Sequence, residues 1–287
     1  MAPSRLQPSY AYCERLARRE AGNFFHAFQV LPRPQRRAMC ALYAFMRVTD
    51  DLADGPGPVG DRRAALSRWR EDLHAAVAGL DRHPLHPALR HTLSRFGVPV
   101  VYLDNVIDGC ETDLGPVRMT DFAALYRYCY RVASAVGLAC IHIWGFRDST
   151  AKVHAEHAGL ALQLTNILRD LPEDAGRDRL YLPADDLKRF GCPLDGLPEP
   201  GAAAYRELMR FEVERARGYY TAAERLFPLL EPPGRAVFQV MLRTYRGLLD
   251  EIERRDYDVF RDRVRLSRWR KAALVVRALP VRWGWVG

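Results

Sequence analysis

Asp50 and Asp54 stand four residues apart in "AMCALYAFMRVTDDLAD", and Asp170 and Asp174 repeat that spacing 120 residues later in "LALQLTNILRDLPEDAG". Both pairs lie in otherwise apolar helical sequence, where an unpaired buried charge is expensive. Two such clusters point to a shared compensating charge. Mg2+ suits them, because it is held by a few carboxylates together with phosphate oxygens. Each pair also belongs to a longer stripe. Tyr43, Arg47, Asp50 and Asp54 are spaced 4, 3 and 4, and Gly159, Gln163, Asn166, Asp170 and Asp174 are spaced 4, 3, 4 and 4. On a helix, each set shares one face. Ala41, Leu42, Ala44, Phe45 and Met46 leave the first helix apolar on most other sides, so its polar stripe is expected to line an internal cavity.

On the second stripe, Gly159 would leave room for a ligand, or else let two helices pack closely. Gln163 and Asn166 can donate to phosphate or complete a metal's water shell. Arg169 and Glu173 flank the stripe, and "GRDRLYLP" adds Arg177, Arg179 and Tyr181 downstream. The chemistry this implies is a diphosphate gripped by roughly two or three Mg2+ ions between the acid pairs. Arg47 and Arg179 would add positive charge. The metals would act as Lewis acids on the departing diphosphate. The carbon left behind would be an allylic cation, which needs a dry pocket of aliphatic and aromatic walls.

The elements that must position these residues read as helices. Helical periodicity covers roughly 8–30, 34–54, 60–79, 84–95, 98–113, 119–145, 149–172, 200–226, 233–256 and 264–279, with no convincing run of alternating strand. "LPRP" at 31–34, "GPGPVG" at 55–60 and "GCPLDGLPEPG" at 191–201 break the pattern. The first two connections are short, and the third reads as a surface loop. An all-α bundle forming a single domain over 1–287 follows.

Composition narrows the function classes. The 287 residues are 48% hydrophobic, which supplies a large core. The formal charge of +8 comes mostly from arginine, a residue suited to bidentate phosphate recognition. This charge is spread along the chain, which argues against a nucleic-acid surface. The six cysteines form no Cys-x-x-Cys pair and read as buried, reduced thiols of a cytoplasmic protein. No signal region or membrane span is evident. The tail "WRKAALVVRALPVRWGWVG" reads either as a docked terminal helix or as a peripheral contact with a membrane interface. No obligate protein partner is implied.

At "LPRPQRRAMCALYAFMRVTDDLAD", "YRYCYRVASAVGL", "LALQLTNILRDLPEDAGRDRLYLP" and "RDYDVFRDRV" the chain resembles the squalene/phytoene synthase family, the head-to-head prenyl transferases. The resemblance covers nearly the whole sequence. It implies the isoprenoid synthase fold with a central cavity, two prenyl diphosphate substrates and Mg2+. The first substrate would lose diphosphate, and the double bond of the second would attack the cation. Proton loss then gives a cyclopropyl diphosphate, and a second ionisation leads to the hydrocarbon. Squalene formation ends with hydride from NADPH, phytoene formation with proton loss.

Carried over by position, Asp50, Asp54, Asp170 and Asp174 match the metal-binding acids, with Asn166 beside them. Tyr43, Arg47, Gln163, Asn166 and Arg169 match residues around the diphosphates, and Tyr245 and Arg263 match C-terminal diphosphate contacts. Tyr128 matches a tyrosine proposed to assist proton handling. Val132, Val136 and Gly137 match the wall of the prenyl pocket. Many members carry Ser-x-Ser-Phe where this chain has Ala21-Gly22-Asn23-Phe24. Asn23 can still donate to a diphosphate and Phe24 can still wall the pocket, but Ala21 cannot replace a hydroxyl. The first choice of product is a C30 hydrocarbon from two farnesyl diphosphates. The alternatives are phytoene from two geranylgeranyl diphosphates, conversion of presqualene diphosphate to hydroxysqualene, and, remotely, a non-catalytic assembly protein.

Other signals carry less. His154-Ala155-Glu156-His157 lacks the i, i+4 histidine pair of a His-Glu-x-x-His zinc site. No Glu-x-x-His of a di-iron bundle lies in the acidic segments. A terpene cyclase would place Ser or Thr where Asp170 stands, and a chain elongator would need a second Asp-Asp-x-x-Asp.

Overall fold

Proline and glycine set most of the helix boundaries. The computed structural model describes residues 3–197 and 199–282. Among them the expected helix over 8–30 is two, α1 (Pro3–Glu20) and α2 (Asn23–Phe28). Gly22 separates them at φ +51°, a left-handed conformation that glycine adopts without steric cost. The next helix, α3 (Arg33–Asp54), begins at Pro32 and Pro34 and ends at Gly55. It buries Ala38, Leu42 and Phe45. The Phe45 ring stacks on Trp69 of α4 (Val59–Val77) at 5.5 Å. Arg62 of α4 donates to the carbonyls of Ala53 (2.7 Å) and Leu114 (3.2 Å), closing the free end of α3 and tying it to the Leu114 segment.

After α5 (His86–Phe96) and α6 (Val101–Thr112), the expected helix over 119–145 forms as one helical run in three parts: α7 (Phe122–Cys129), a π-helical turn (Tyr130–Ser134) and α8 (Ala135–Trp144). The expected 149–172 helix is α9 (Ala151–Arg169) followed by the short α10 (Leu171–Ala175), with Pro172 in its first turn. The remaining helices are α11 (Ala184–Arg189), which the periodicity misses because it spans under two turns, then α12 (Ala203–Glu224), α13 (Pro232–Arg254) and α14 (Arg268–Arg282). Sequence reasoning predicts no strand. Even so, β1 (Val117–Arg118) pairs in parallel with β2 (Arg179–Leu180), and two residues are too few to show alternation.

The all-α expectation holds, and one continuous core runs through the bundle. At its centre is α9, packed on α12, α13, α8 and the π turn. It buries Ala155, Leu160, Ala161, Leu164, Ile167 and Leu168, and its Thr165 hydroxyl meets the Tyr220 hydroxyl at 2.7 Å. All six cysteines are buried. Among the described residues no helix is long and apolar enough to cross a membrane.

Two glycines let neighbouring helices approach the π turn closely. A Cβ on Gly109 of α6 would stand 2.5 Å from Val132 Cγ1. A Cβ on Gly159 of α9 would stand 2.4 Å from Ser134 Cα. This corrects the ligand-space reading of Gly159: its missing side chain makes room for the backbone of a neighbouring helix. Gly137 faces α9 in the same way, its absent Cβ 3.1 Å from the Ala155 carbonyl oxygen.

Candidate active site

The polar stripe of α3 emerges at the open end of the core. Tyr43 is half-buried, and burial pushes its hydroxyl up to about 12. Arg47 does not pair with Asp50 or Asp54, as the stripe would suggest. It binds Asp51, one turn on, at 2.5 Å. Asp50 accepts a hydrogen bond from the Cys110 thiol of α6 at 3.5 Å. Asp50 is solvent-accessible, although many protein atoms surround its carboxylate. This desolvation, with the charges of Asp54 and Asp51 nearby, raises its carboxyl to about 6.

Across from Asp54 lies β2. Arg177 and Arg179 reach the Asp54 carboxylate at 3.4 and 3.5 Å. The β1–β2 pairing and the left-handed Asp178 (φ 58°) turn this segment toward α3. Arg179 also donates to the Asp113 carbonyl at 2.5 Å. Asp113 is the residue sequence reasoning missed. Its carboxylate accepts from Tyr181 (2.6 Å) and Tyr128 (2.9 Å), whose rings stack at 4.7 Å. Burial raises the Asp113 carboxyl, against the pull of Tyr181 and Arg179. No local signal marked it, since α6 already carries Asp104, Asp108 and Glu111 and the partners of Asp113 come from later segments. Tyr128 is therefore buried, with its hydroxyl already engaged. Replacing Asp113 by Ala would strand both tyrosine hydroxyls and should cost about 2–4 kcal/mol in urea unfolding, with Asn restoring roughly half.

The second cluster occupies the α9–α10 junction. Burial alone would raise Asp170, but Arg169 and Arg263 overcome it and hold the carboxyl below its usual range. Arg263 grips it with two hydrogen bonds, of 2.9 and 3.0 Å, and Arg169 Nε adds one of 2.8 Å. Asp174 has no such clamp. Burial, then the charge of Asp170, lifts it to about 7 despite Arg179. Asn166 donates toward Gln163 at 3.4 Å and bonds the buried Tyr245, while its Oδ1 is buried without a partner.

The two clusters converge. Arg177 lies 3.8 Å from Glu173, and Arg263 lies 3.7 Å from it. A chain of alternating charge thus runs from Asp54 through Arg177, Glu173 and Arg263 to Asp170. Val132 and Val136, half-buried and packed on the core, lie on the neighbouring π turn and α8. The side chains of Asn23 and Phe24 lie outside the described residues.

Among the described residues no three acidic, histidine or cysteine side chains form a ready metal cage. Mg2+ needs none when substrate phosphates complete its shell. The donors here are hard oxygens, and among the described residues two of the four carboxylates lack an arginine partner. The orphaned Asn166 Oδ1 is a further unused acceptor. The residues fit Mg2+.

The description "Squalene/phytoene synthase" belongs to the family model that matches residues 17–270. A phytoene synthase of Arthrospira platensis is 38% identical, over 94% of this chain and 92% of that one. A 15-cis-phytoene synthase of Synechococcus elongatus is 35% identical, over 97% and 95%. The crystal structure of a dehydrosqualene synthase in complex with a ligand superposes with a TM-score of 0.86 at 28% identity, covering 96% of each chain.

Proposed function

The chain belongs to the squalene/phytoene synthase family of prenyltransferases, and from that premise we propose that residues 1–287 act as one catalytic domain joining two geranylgeranyl diphosphates head to head to give phytoene. The observation that carries the reading is the division of the four aspartates. Asp54 and Asp170 have arginine partners, while Asp50 and Asp174 are desolvated and have none among the described residues. Such a site is built to exchange partners: arginines released from carboxylates turn to a diphosphate as the acids take up a cation. Magnesium held by Asp50, Asp54, Asp170, Asp174 and Asn166 would supply Lewis-acid charge for diphosphate departure.

The chain's own groups do the rest. Arg47, Arg169, Arg177, Arg179 and Arg263 bind diphosphate oxygens, with Tyr43, Gln163 and Tyr245 beside them. Arg179 is held in position by the Asp113 carbonyl. Tyr128, whose hydroxyl donates to Asp113, assists the departing group only by exchanging that acceptor for a diphosphate oxygen. Val132 and Val136 keep water from the cation.

Relatives named phytoene synthase at 35–38% identity favour a C40 product over the C30 first choice drawn from sequence, and over the 28% identical dehydrosqualene synthase. A phytoene product ends with proton loss and needs no NADPH. Incubation with C15 or C20 diphosphate, each with and without NADPH, tests this. Phytoene from the C20 substrate alone is expected. A C30 hydrocarbon from farnesyl diphosphate and nothing from the C20 substrate would restore the first choice. A cyclic C15 product, or elongation that needs isopentenyl diphosphate, would overturn head-to-head coupling.

A further inference from the structure

We infer that α14 docks this protein on an anionic lipid bilayer. The helix has two apolar sides. Ala278 and Val281 are buried, with Leu274 partly so, as α14 packs on α13. On the opposite side Trp269, Ala272, Ala273 and Val276 recur at helical spacing, and all four are exposed. Trp269 is 86% exposed and Val276 63%, the two most exposed large apolar side chains described. A tryptophan in water gives up much of its burial energy, whereas at a bilayer interface its ring is favoured.

Charge identifies the occupant. In sequence the helix carries Arg268, Arg270, Lys271, Arg277 and Arg282 and no acid, on a chain of net charge +8; the exposed Arg277 flanks the apolar face, and Arg270 reaches back toward Gly247 of α13. A second copy meeting this face would set basic residues against basic residues. A nucleic acid would satisfy the charge but leave the Trp269–Val276 stripe in water. A surface of anionic headgroups over acyl chains answers both.

The helix also follows closely in the chain on a residue of the acidic site. Arg263, which grips Asp170, precedes α14 by five residues. Between them Leu266 packs on Gly247 of α13, two residues beyond Tyr245. Docking would hold the cleft near the layer where amphiphilic prenyl diphosphates and a hydrocarbon product reside. That purpose rests on the proposed function, but the docking itself does not.

Sedimentation of the full chain with vesicles of phosphatidylcholine, with and without phosphatidylglycerol, tests the inference. Binding to the anionic vesicles is expected, about tenfold stronger than to the neutral ones and weakened by salt. The double variant W269S/V276S should bind about tenfold more weakly, and R277E should lose part of the salt-sensitive component. Both should turn over prenyl diphosphate in detergent micelles at the wild-type rate, so an inactive wild type would count against the proposed function and leave the vesicle result standing. Absence of vesicle binding would overturn the inference. So would binding that survives W269S/V276S, or a self-associated wild type that this variant makes monomeric without any vesicle binding.

Discussion

Asparagine at position 50 or 174 should lower turnover about a thousandfold while making the metal-free protein more stable. The two effects share one cause. Burial raises Asp50 to about 6 and Asp174 to about 7, above the ordinary value of 3.8, because each ionises in a desolvated cleft beside other acids and without a contacting arginine. A carboxyl whose folded pKa exceeds its unfolded one binds its proton more tightly when folded. The stability it contributes is intact below about 3.8 and drains away as pH rises through 6 and 7. Asparagine cannot ionise and escapes this loss. For Asp174→Asn the gain at pH 8 should be roughly 1–2 kcal/mol, reduced by solvent that reaches a half-buried group, and smaller at pH 5. Added Mg2+ should stabilise the wild type and not the variant, releasing protons near pH 6–7 as the carboxyls ionise. Thermal melts across that range with and without Mg2+, together with turnover assays, check both halves. Undiminished turnover in either variant would remove that residue from its assigned role.

Valine at position 159 should destabilise the fold by about 3 kcal/mol or more, a large part of the roughly 5–15 kcal/mol that holds a typical domain together. The new side chain would collide with Ser134 Cα and N at 2.4 and 2.6 Å and with the Ala133 carbonyl carbon at 2.8 Å. These are backbone atoms and cannot swing aside. Gly218 on the exposed face of α12 makes the control, because a Cβ there meets nothing within 4 Å. Gly218→Ala should be neutral or stabilising by up to about 1 kcal/mol. Urea unfolding of the two variants separates packing from ligand clearance. If Gly159 merely left space for substrate, its valine variant would lose activity and keep its midpoint.

Most long helices were legible because apolar periodicity and Pro or Gly stops acted together, as at Pro32 and Gly55 around α3. The acids were legible because charge in an apolar helix is costly enough to need a reason. Their partners were less so. Spacing put Arg47 with Asp50 and Asp54, but i, i+4 geometry equally allows Asp51, and the longer arginine arm went there. Asp170 and Arg263 are 93 residues apart, so their bidentate pair reflects tertiary packing that no local pattern encodes. Asp113 went unremarked because its importance lies in two tyrosines from distant segments, Tyr128 and Tyr181. Gly159 carried two readings, and only the position of the neighbouring helix could choose between them.

The π turn at Tyr130–Ser134 also has a geometric consequence for the whole α7–α8 run. One additional residue in a 3.6-residue repeat advances the angular phase by roughly 100°. Residues up to 129 and residues from 135 therefore obey two different helical wheels, offset by about a quarter-circle. That offset lets a single rod aim Tyr128 at a carboxylate near one end and seat its aliphatic stretch properly at the other. A one-residue deletion within the turn would remove the extra residue, let the run close as ordinary α-helix, and leave the side chains beyond it still facing α9.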